Sequence, residues 1–584
     1  MQLIIRLRNF LLATAAISVL AAIPVSERLK FDQRIESFFA EDNPDLKFLQ
    51  RSRNDFGGDE FVVVAWTEDR LFGLDPNTPY PSTLEAVLEE DFLPVLSEDA
   101  ERHVLEAVDQ LHKVPGVNAD RTQHLGSLLD SAPRYKPARR SMLKLFEGTL
   151  VGQDGRTTGI MLELQPEADA GVPRGETLRR IRSIAAEMSG DVAVAGEPVQ
   201  VFDMFEMVEQ DGQILFLVSL GILSVVLWLM FRRVRWVLTS VGLVLGSVVI
   251  TRAILQLSGA ELSMVSSMLS SLVTVIGIAT CMHVIVHYRD LRQQADPETM
   301  NRQAIACQTL SDMAWPIFWT CLTTAVGFSS LLVSDITPVR SFAVMMTLAT
   351  GVILAGCFVV LPASLASGSR IREPAQVPLE HWLDRALAAT VHSVERHPVL
   401  TALTCGILFL GSLPGILRLT IETDFSRNFR ESSDIVRSLK FIERKLGGAG
   451  SWEVSFDTPE TLTDEFLNDI QKLTERLREV TAADDSIRIL SLTDVSDLPP
   501  RVAGPAKTLA RLAVKQPEIV SGFYNEAAQR MRIILRSAEQ QPSEHKAEQV
   551  RAIRESVTEF LTGRNRSLRE LRHRLRECLS CWQK

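Results

Sequence analysis

The chain reads as a multi-pass α-helical membrane protein, about seven transmembrane helices, carrying two large α/β segments in water. Three observations predict that class. Uncharged apolar stretches of spanning length recur along the sequence. Long charged segments separate them, and the mean hydropathy of +0.09 over 584 residues is a blend of the two. With 46% hydrophobic and 23% charged residues, 32 Gly, 26 Pro and 7 Cys, collagen-like, disordered and small disulfide-stapled chains are excluded.

The uncharged windows are Asn9–Ser26, Gly212–Phe231, Trp236–Thr251, Leu262–Met282, Met313–Ser334, Ser341–Ser369 and Pro398–Leu417. A hydrocarbon core of about 30 Å needs roughly 17–25 helical residues, and most windows meet that outright. The third is interrupted at Arg252, which is placed to snorkel toward one face or to pair with Glu261, and uncharged residues resume through Ala260. Arg6 and Arg8 before an apolar run ending near Pro24 also fit a cleavable signal peptide. The windows divide the chain into a first helix at 1–26, a first outside α/β segment at 27–211 and a five-helix bundle at 212–369. A cytoplasmic linker at 370–397, a seventh helix at 398–417 and a second outside α/β segment at 418–584 follow.

Short-loop arginines set the orientation. Arg6 and Arg8, then Arg232, Arg233 and Arg235, then Arg289 and Arg292 fall on one side if seven spans alternate, and that side is the cytoplasm. Trp236, Tyr288 and Trp315 lie near the same boundary, as an aromatic belt would. Segment 27–211 holds 20 Lys+Arg against 36 Asp+Glu, a net of −16, which leaves +6 for the rest of a chain whose net charge is −10. An acidic exterior argues against a nucleic-acid partner. Segment 27–211 has no cysteine and must fold without disulfides.

Comparing the two outside segments from their membrane entry gives a repeat at an offset of 390 residues. Pro24 matches Pro414, Phe39 matches Phe429, Leu49 matches Leu439, and Gly57-Gly58 matches Gly447-Gly448. Each unit predicts a membrane helix, an acidic extended stretch, an amphipathic helix, a glycine pair and a strand. Asn43-Pro44 supplies helix-start chemistry, Ile435, Leu439, Ile442 and Leu446 have helical spacing, and Phe61–Trp66 and Trp452–Phe456 are the strands. Further on, Thr177-Leu-Arg-Arg-Ile-Arg182 matches Gln549-Val-Arg-Ala-Ile-Arg554, each after a strand, Ile160–Leu164 and Arg532–Leu535. The counterpart of the first span at Pro398–Leu417 weighs against the signal-peptide reading. The first unit runs on through a strand at Val192–Gly196 and into the membrane. After Thr562 the second has a basic run where a strand and a returning helix are due, so the second copy is expected to be incomplete.

Catalytic signals are weak or missing. Gly57-Gly58-Asp59-Glu60-Phe61 spells the diguanylate cyclase signature, but only an amphipathic helix separates it from the first span, and its repeat equivalent Gly447-Gly-Ala-Gly-Ser451 has lost the acids. A helix-to-strand turn with glycine at the helix C-terminus is the reading preferred. The chain has no Gly-Lys-Ser/Thr nucleotide loop, no Gly-x-Ser-x-Gly and no His-Glu-x-x-His, and Cys578-x-x-Cys581 lacks a second pair. No enzyme activity, cofactor or metal is expected.

The layout of one span, a large outside domain, five clustered spans and the start of a second copy resembles the resistance nodulation division (RND) superfamily, and within it the MMPL-type lipid exporters. The residues that carry the resemblance are Thr320-Cys-Leu-Thr-Thr-Ala-Val-Gly-Phe-Ser-Ser-Leu331, Ser334-Asp-Ile-Thr-Pro338 and Leu361-Pro-Ala363 for the fifth and sixth spans. Gly277-Ile-Ala-Thr-Cys-Met-His283 with His287-Tyr-Arg-Asp290 resembles the fourth. Spans two to six also resemble a sterol-sensing domain. The likeness runs over about residues 1–560.

That resemblance implies ferredoxin-like, porter-type outside domains in a bacterial cytoplasmic membrane, proton-driven export of a hydrophobic or amphiphilic substrate, and compatibility with a homo-oligomer. Two rivals remain, a lipid-sensing or scaffolding protein of the same fold and an accessory factor for translocation. The resemblance also places an intramembrane Asp where this chain has Thr280, and threonine does not titrate in the usable range. His283, three residues on, is the candidate substitute, or else a buried polar residue bonded to a neighbouring helix. Thr320, Thr323 and Thr324 share one helical face. They are candidates to line a polar seam with Thr280 and His283, or else bond the carbonyl four residues back while small residues such as Gly327 pack the helix.

Overall fold

A computed structural model describes residues 7–29, 43–56, 60–75, 79–89, 93–131, 135–167, 169–188, 190–260, 262–294, 302–366, 380–416, 419, 429–448, 450–482, 487–496, 504–515, 520–538 and 541–562. Gly57-Gly58, Glu261, the basic run after Thr562 and the cysteine pair near the C-terminus lie outside the described residues. The principal elements in chain order are α1 (Arg8–Ser26), α2 (Pro44–Phe56), β1 (Phe61–Thr67), α3 (Glu98–His112), β2 (Gln123–His124), β3 (Thr157–Glu163), α4 (Arg174–Glu187) and β4 (Ala193–Ala195). Next come α5 (Glu197–Phe231), α6 (Val234–Leu257), α7 (Leu269–Gln294), α8 (Arg302–Ser329), α9 (Thr337–Ala366), α10 (Glu380–Arg396) and α11 (Pro398–Ile416). The chain continues through α12 (Asp434–Leu446), β5 (Gly450–Asp457), α13 (Asp464–Thr481), β6 (Arg488–Leu490), β7 (Tyr524–Asn525), β8 (Arg530–Ser537) and α14 (Ser543–Thr562).

Two compact units result, Met1–Ala40 with Phe205–Thr420, and Glu41–Met204 with Ile421–Lys584. Among the described residues the named elements of the first are all helices. Among the described residues seven helices are long and apolar enough to cross a membrane, and each coincides with one of the uncharged windows. The helix of the second window is longer than its apolar part and begins at Glu197, where Gly196 adopts φ +147° and Pro198 supplies a preset first-turn φ. Charge marked the edge of the apolar stretch there, not the end of the helix.

α1 packs on α6 and α9, α6 on α7, and α7 on α8 and α9. Their common core includes Leu243, Val244, Val273, Ile278, Ile285, Met346, Ala349, Ile353 and Leu361. Gly277 sets the α6–α7 approach, since a Cβ there would lie 2.7 Å from Val244 Cγ2. Trp236 and Tyr288, expected in an aromatic belt, are instead buried edge to face at 5.9 Å inside the bundle, and only Trp315 of the three is exposed. Position near a loop gives a side chain's depth; the helix face it occupies decides whether it meets lipid or protein. No residue of α11 is buried.

The second unit has two antiparallel four-stranded sheets, β2-β3-β1-β4, and β5-β8-β6 with β7 paired to β8. In the first, Val64 pairs with Ile160 and with Val194; in the second, Val454 pairs with Ile533. Period-2 alternation buries Val62 and Val64 in β1, and Met531, Ile533 and Leu535 in β8. Amphipathic helices cover them, α3 and α4 in the first lobe, α13 and α14 in the second. Ser97 and Thr463 cap α3 and α13 by accepting from Ala100 N and Phe466 N, each at 3.2 Å. Elements of the same kind recur at the predicted offset: α1 and α11 begin 390 residues apart, and so do α2 and α12.

The two α/β segments, separate domains in the sequence reading, lie together in this one unit. Each one's first helix packs on the other's sheet. α12 lies against β4, where Val194 N donates to Ser438 Oγ at 3.3 Å, and Lys445 pairs with Asp154 at 2.9 Å. α2 lies against β7, with Asp55 3.2 Å from Arg530 and Phe56 under the Arg532 guanidinium at 4.7 Å. Gly447, at φ +84°, ends α12 in the left-handed conformation predicted for the helix-to-strand turn. Glu60, the last acid of the cyclase-like sequence, is engaged by Arg174.

Candidate functional site

The membrane unit holds all five polar residues singled out from the sequence. Thr280 is buried on α7, and its hydroxyl donates to Ile276 O at 2.8 Å. His283 is exposed, on the face of α7 that also presents Val275 and Ala279. Spacing fixes the angle between Thr280 and His283 but not where the neighbours stand, and α6, α8 and α9 cover the threonine side only.

On α8, Thr320 donates to Pro316 O at 2.9 Å, Thr323 to Trp319 O at 2.9 Å and Thr324 to Thr320 O at 2.8 Å. Thr320 and Thr323 are exposed and Thr324 is half-buried. Each hydroxyl finds an acceptor one turn back on its own helix, the satisfaction a membrane interior demands. The five are therefore not gathered into one seam: Thr280 faces the bundle, while His283, Thr320 and Thr323 face out of it.

A different polar set lines the interior. Ser240, Ser247 and Thr251 recur on one face of α6 and are buried, and Ser240 Oγ and Thr251 Oγ1 are enclosed with no hydrogen-bond partner among the described residues. Thr274 on α7 and Thr350 on α9 are buried and bond back to Ser270 O and Met346 O. Cys281, beside Thr280, is in hydrogen-bond contact with Cys357 of α9. The helical spacing of residues 240, 247 and 251 was available in the sequence as a signal for the α6 face.

One histidine–aspartate pair was also missed. His287 Nε2 on α7 lies 3.3 Å from Asp312 Oδ2 on α8, and both side chains are partly exposed. His287 belongs to the motif at the end of the fourth span; Asp312 sits one residue before the fifth window, where charge had been read as a boundary. Among the described residues no three His, Cys, Asp or Glu are placed to hold a metal.

A model of the MMPL family matches residues 76–399, more than half of the chain. The chain belongs to the MMPL family. The matched region takes in most of the first α/β lobe, with strands β2, β3 and β4 but not β1, and helices α5–α10, so the MMPL match covers the polar interior of the bundle. No curated protein matches the chain.

Proposed function

We propose that this MMPL-family chain is an RND-type secondary transporter that moves a hydrophobic or amphiphilic, lipid-like substrate out of a bacterial cytoplasmic membrane at the expense of the proton gradient. The observation that carries the reading is the family match across 76–399 together with seven spanning helices. In this reading the α/β unit faces the extracytoplasmic side, its two lobes are copies of one repeat, and the protein has no enzymatic role. The arginines flanking the spans support that sidedness.

Of the five residues singled out, His283 alone has a side chain built to take up and release a proton, so it is the proton carrier proposed. Its outward position on α7 leaves it reachable by a proton or by another helix. Reconstitution into liposomes loaded with a fluorescent amphiphile tests this. Export should require a pH gradient, stop on addition of a protonophore, and lose its gradient dependence in His283→Asn. Export by the wild type that ignores the gradient would sink proton coupling.

A second reading, a lipid-binding or scaffolding protein without transport, is favoured by one observation. Thr280 stands where a carboxylate is expected and spends its hydroxyl on Ile276 O. Binding of the amphiphile with no movement across the membrane would select it.

A further inference from the structure

The β8 strand carries three arginines on its outer face, and they are treated unequally. Arg530 is paired with Asp55 at 3.2 Å and bonds Ser455 Oγ at 2.7 Å; Arg532 is paired with Glu453 at 3.1 Å and donates to Gly522 O at 2.7 Å. Arg536 has no carboxylate partner among the described residues. Its Nη2 donates to Gly448 O at 2.8 Å, while its Nη1 is enclosed and has no hydrogen-bond partner among the described residues. Its directly opposed neighbour across the β6–β8 ladder is another arginine, Arg488. Like charges opposed across a ladder repel, and a buried N–H left unbonded costs about 1–3 kcal/mol.

Arg488 has a carboxylate of its own, Glu147, at 3.3 Å from its Nη2. Burial first, and then the Arg488 charge, pulls the Arg536 pKa down to about 10, which leaves it cationic at neutral pH. Glycines wall the place. Gly447 at φ +84°, Gly448 at φ +136° and Gly148 at φ +81° converge there, and a Cβ on Gly148 would come within 3.3 Å of Arg488 Nε. Backbone thus replaces side chains around two forked cations, one of them with a free N–H.

We propose that Arg488 and Arg536 form a binding site for a phosphoryl oxyanion, held by paired guanidinium forks beside the glycines where residues 147–148 meet the turn after α12. Two guanidiniums on directly opposed strand positions offer several N–H donors, and a bound dianion cancels the repulsion that the fold leaves in place. The alternative is that the arginines merely cap the carbonyls at the end of α12. The proposal does not depend on whether the protein pumps.

The test uses the full chain in dodecyl maltoside, titrated with inorganic phosphate against chloride at equal ionic strength, with calorimetry and Trp fluorescence as readouts. Phosphate should bind and raise the unfolding temperature. Arg536→Gln and Arg488→Gln should each weaken binding tenfold or more, and Arg536→Lys, which keeps the charge but loses the fork, less. Glu147→Gln should tighten binding several-fold because it removes the competing carboxylate, a sign that a purely structural ion pair would not give. Arg444→Gln, on the exposed side of α12, should change nothing.

Micelles doped with phosphatidic acid separate the sources. Displacement of phosphate by the lipid identifies a headgroup site, and undisturbed phosphate binding identifies a site for the free ion. No phosphate effect beyond that of chloride, or full binding by Arg536→Gln, overturns the proposal and leaves the cap.

Discussion

The two units bury polar groups by opposite strategies. In the membrane unit most satisfied hydroxyls bond within their own helix: Thr274, Thr280, Thr309, Thr320, Thr324 and Thr350 all reach the carbonyl four residues back. Cross-helix bonds occur at Thr239–Ser364, 2.8 Å, and Ser329–Thr347, 3.1 Å. In the α/β unit several partly buried charges are answered from far along the chain, Asp55 by Arg530, Asp154 by Lys445 and Glu147 by Arg488. The difference follows from solvent. A helix that meets lipid has to satisfy itself before it packs. A segment folding from water can delay until its partner arrives, and the partner then becomes a lock between distant segments.

If the α/β unit depends on such locks, cutting one should be severe. Arg530 is 9% exposed and holds Asp55, Asp457 and Ser455 together. Arg530→Met should destabilise the unit by about 3–5 kcal/mol, because it strands the Asp55 carboxylate of α2, which is 17% exposed. Adding Asp55→Asn should restore part of the loss. Urea unfolding followed by Trp fluorescence reads both, and an Arg530→Met variant as stable as the wild type would show that the reciprocal packing of α2 does not rest on charge.

A smaller effect should appear with pH, again confined to the α/β unit. Burial, then the nearby His112, lowers the pKa of His124 below its ordinary 6.5, and Nδ1 accepts a bond from Ser127 N–H at 3.3 Å that protonation would break. A histidine depressed in the folded state binds its proton more readily when unfolded. Stability is therefore complete above about pH 6.5 and declines as pH falls through that value. For Asp154 burial acts upward, but hydrogen bonds from Lys445, Arg156 N, Thr157 N and the Thr157 hydroxyl together outweigh it and hold the carboxyl below its ordinary 3.8. Its contribution is present above that pH and is lost as pH falls further. Thermal unfolding should thus weaken in two steps, one beginning near 6.5 and one below about 3.8. His124→Gln should erase the first and leave the second.

Much of this was legible in the residues. The seven spans were, because a run without charge of that length has few other physical meanings; α11 and α12 begin 390 residues after α1 and α2. The exchange of α2 and α12 between sheets was not legible. Periodicity says that Ile435, Leu439, Ile442 and Leu446 need an apolar surface, but it does not say whose. The same gap misled the reading of the bundle: Thr280 and His283 were placed near one helical face, yet whether that face meets protein depends on neighbours chosen by the whole fold. Asp312 was passed over because a charge at a span's edge looks like a boundary until a partner, here His287, is seen beside it.

The smallest expected effect is the one that bears most on function. Thr280→Val keeps the volume and removes a hydroxyl whose acceptor, Ile276 O, lies on the same helix. Polar contacts inside membrane bundles average about 0.6 kcal/mol, and one made within a helix should be worth no more than that. Denaturation of the bundle by sodium dodecyl sulfate should therefore scarcely distinguish Thr280→Val from wild type. Gradient-driven export should also survive, since a threonine hydroxyl neither gains nor loses a proton near neutral pH. A Thr280→Val variant that folds normally but loses coupling would mean that the hydroxyl takes part in a proton path through the bundle. The interior set of Ser240, Ser247, Thr251 and Thr280 would then replace the outward-facing His283 as the route to examine.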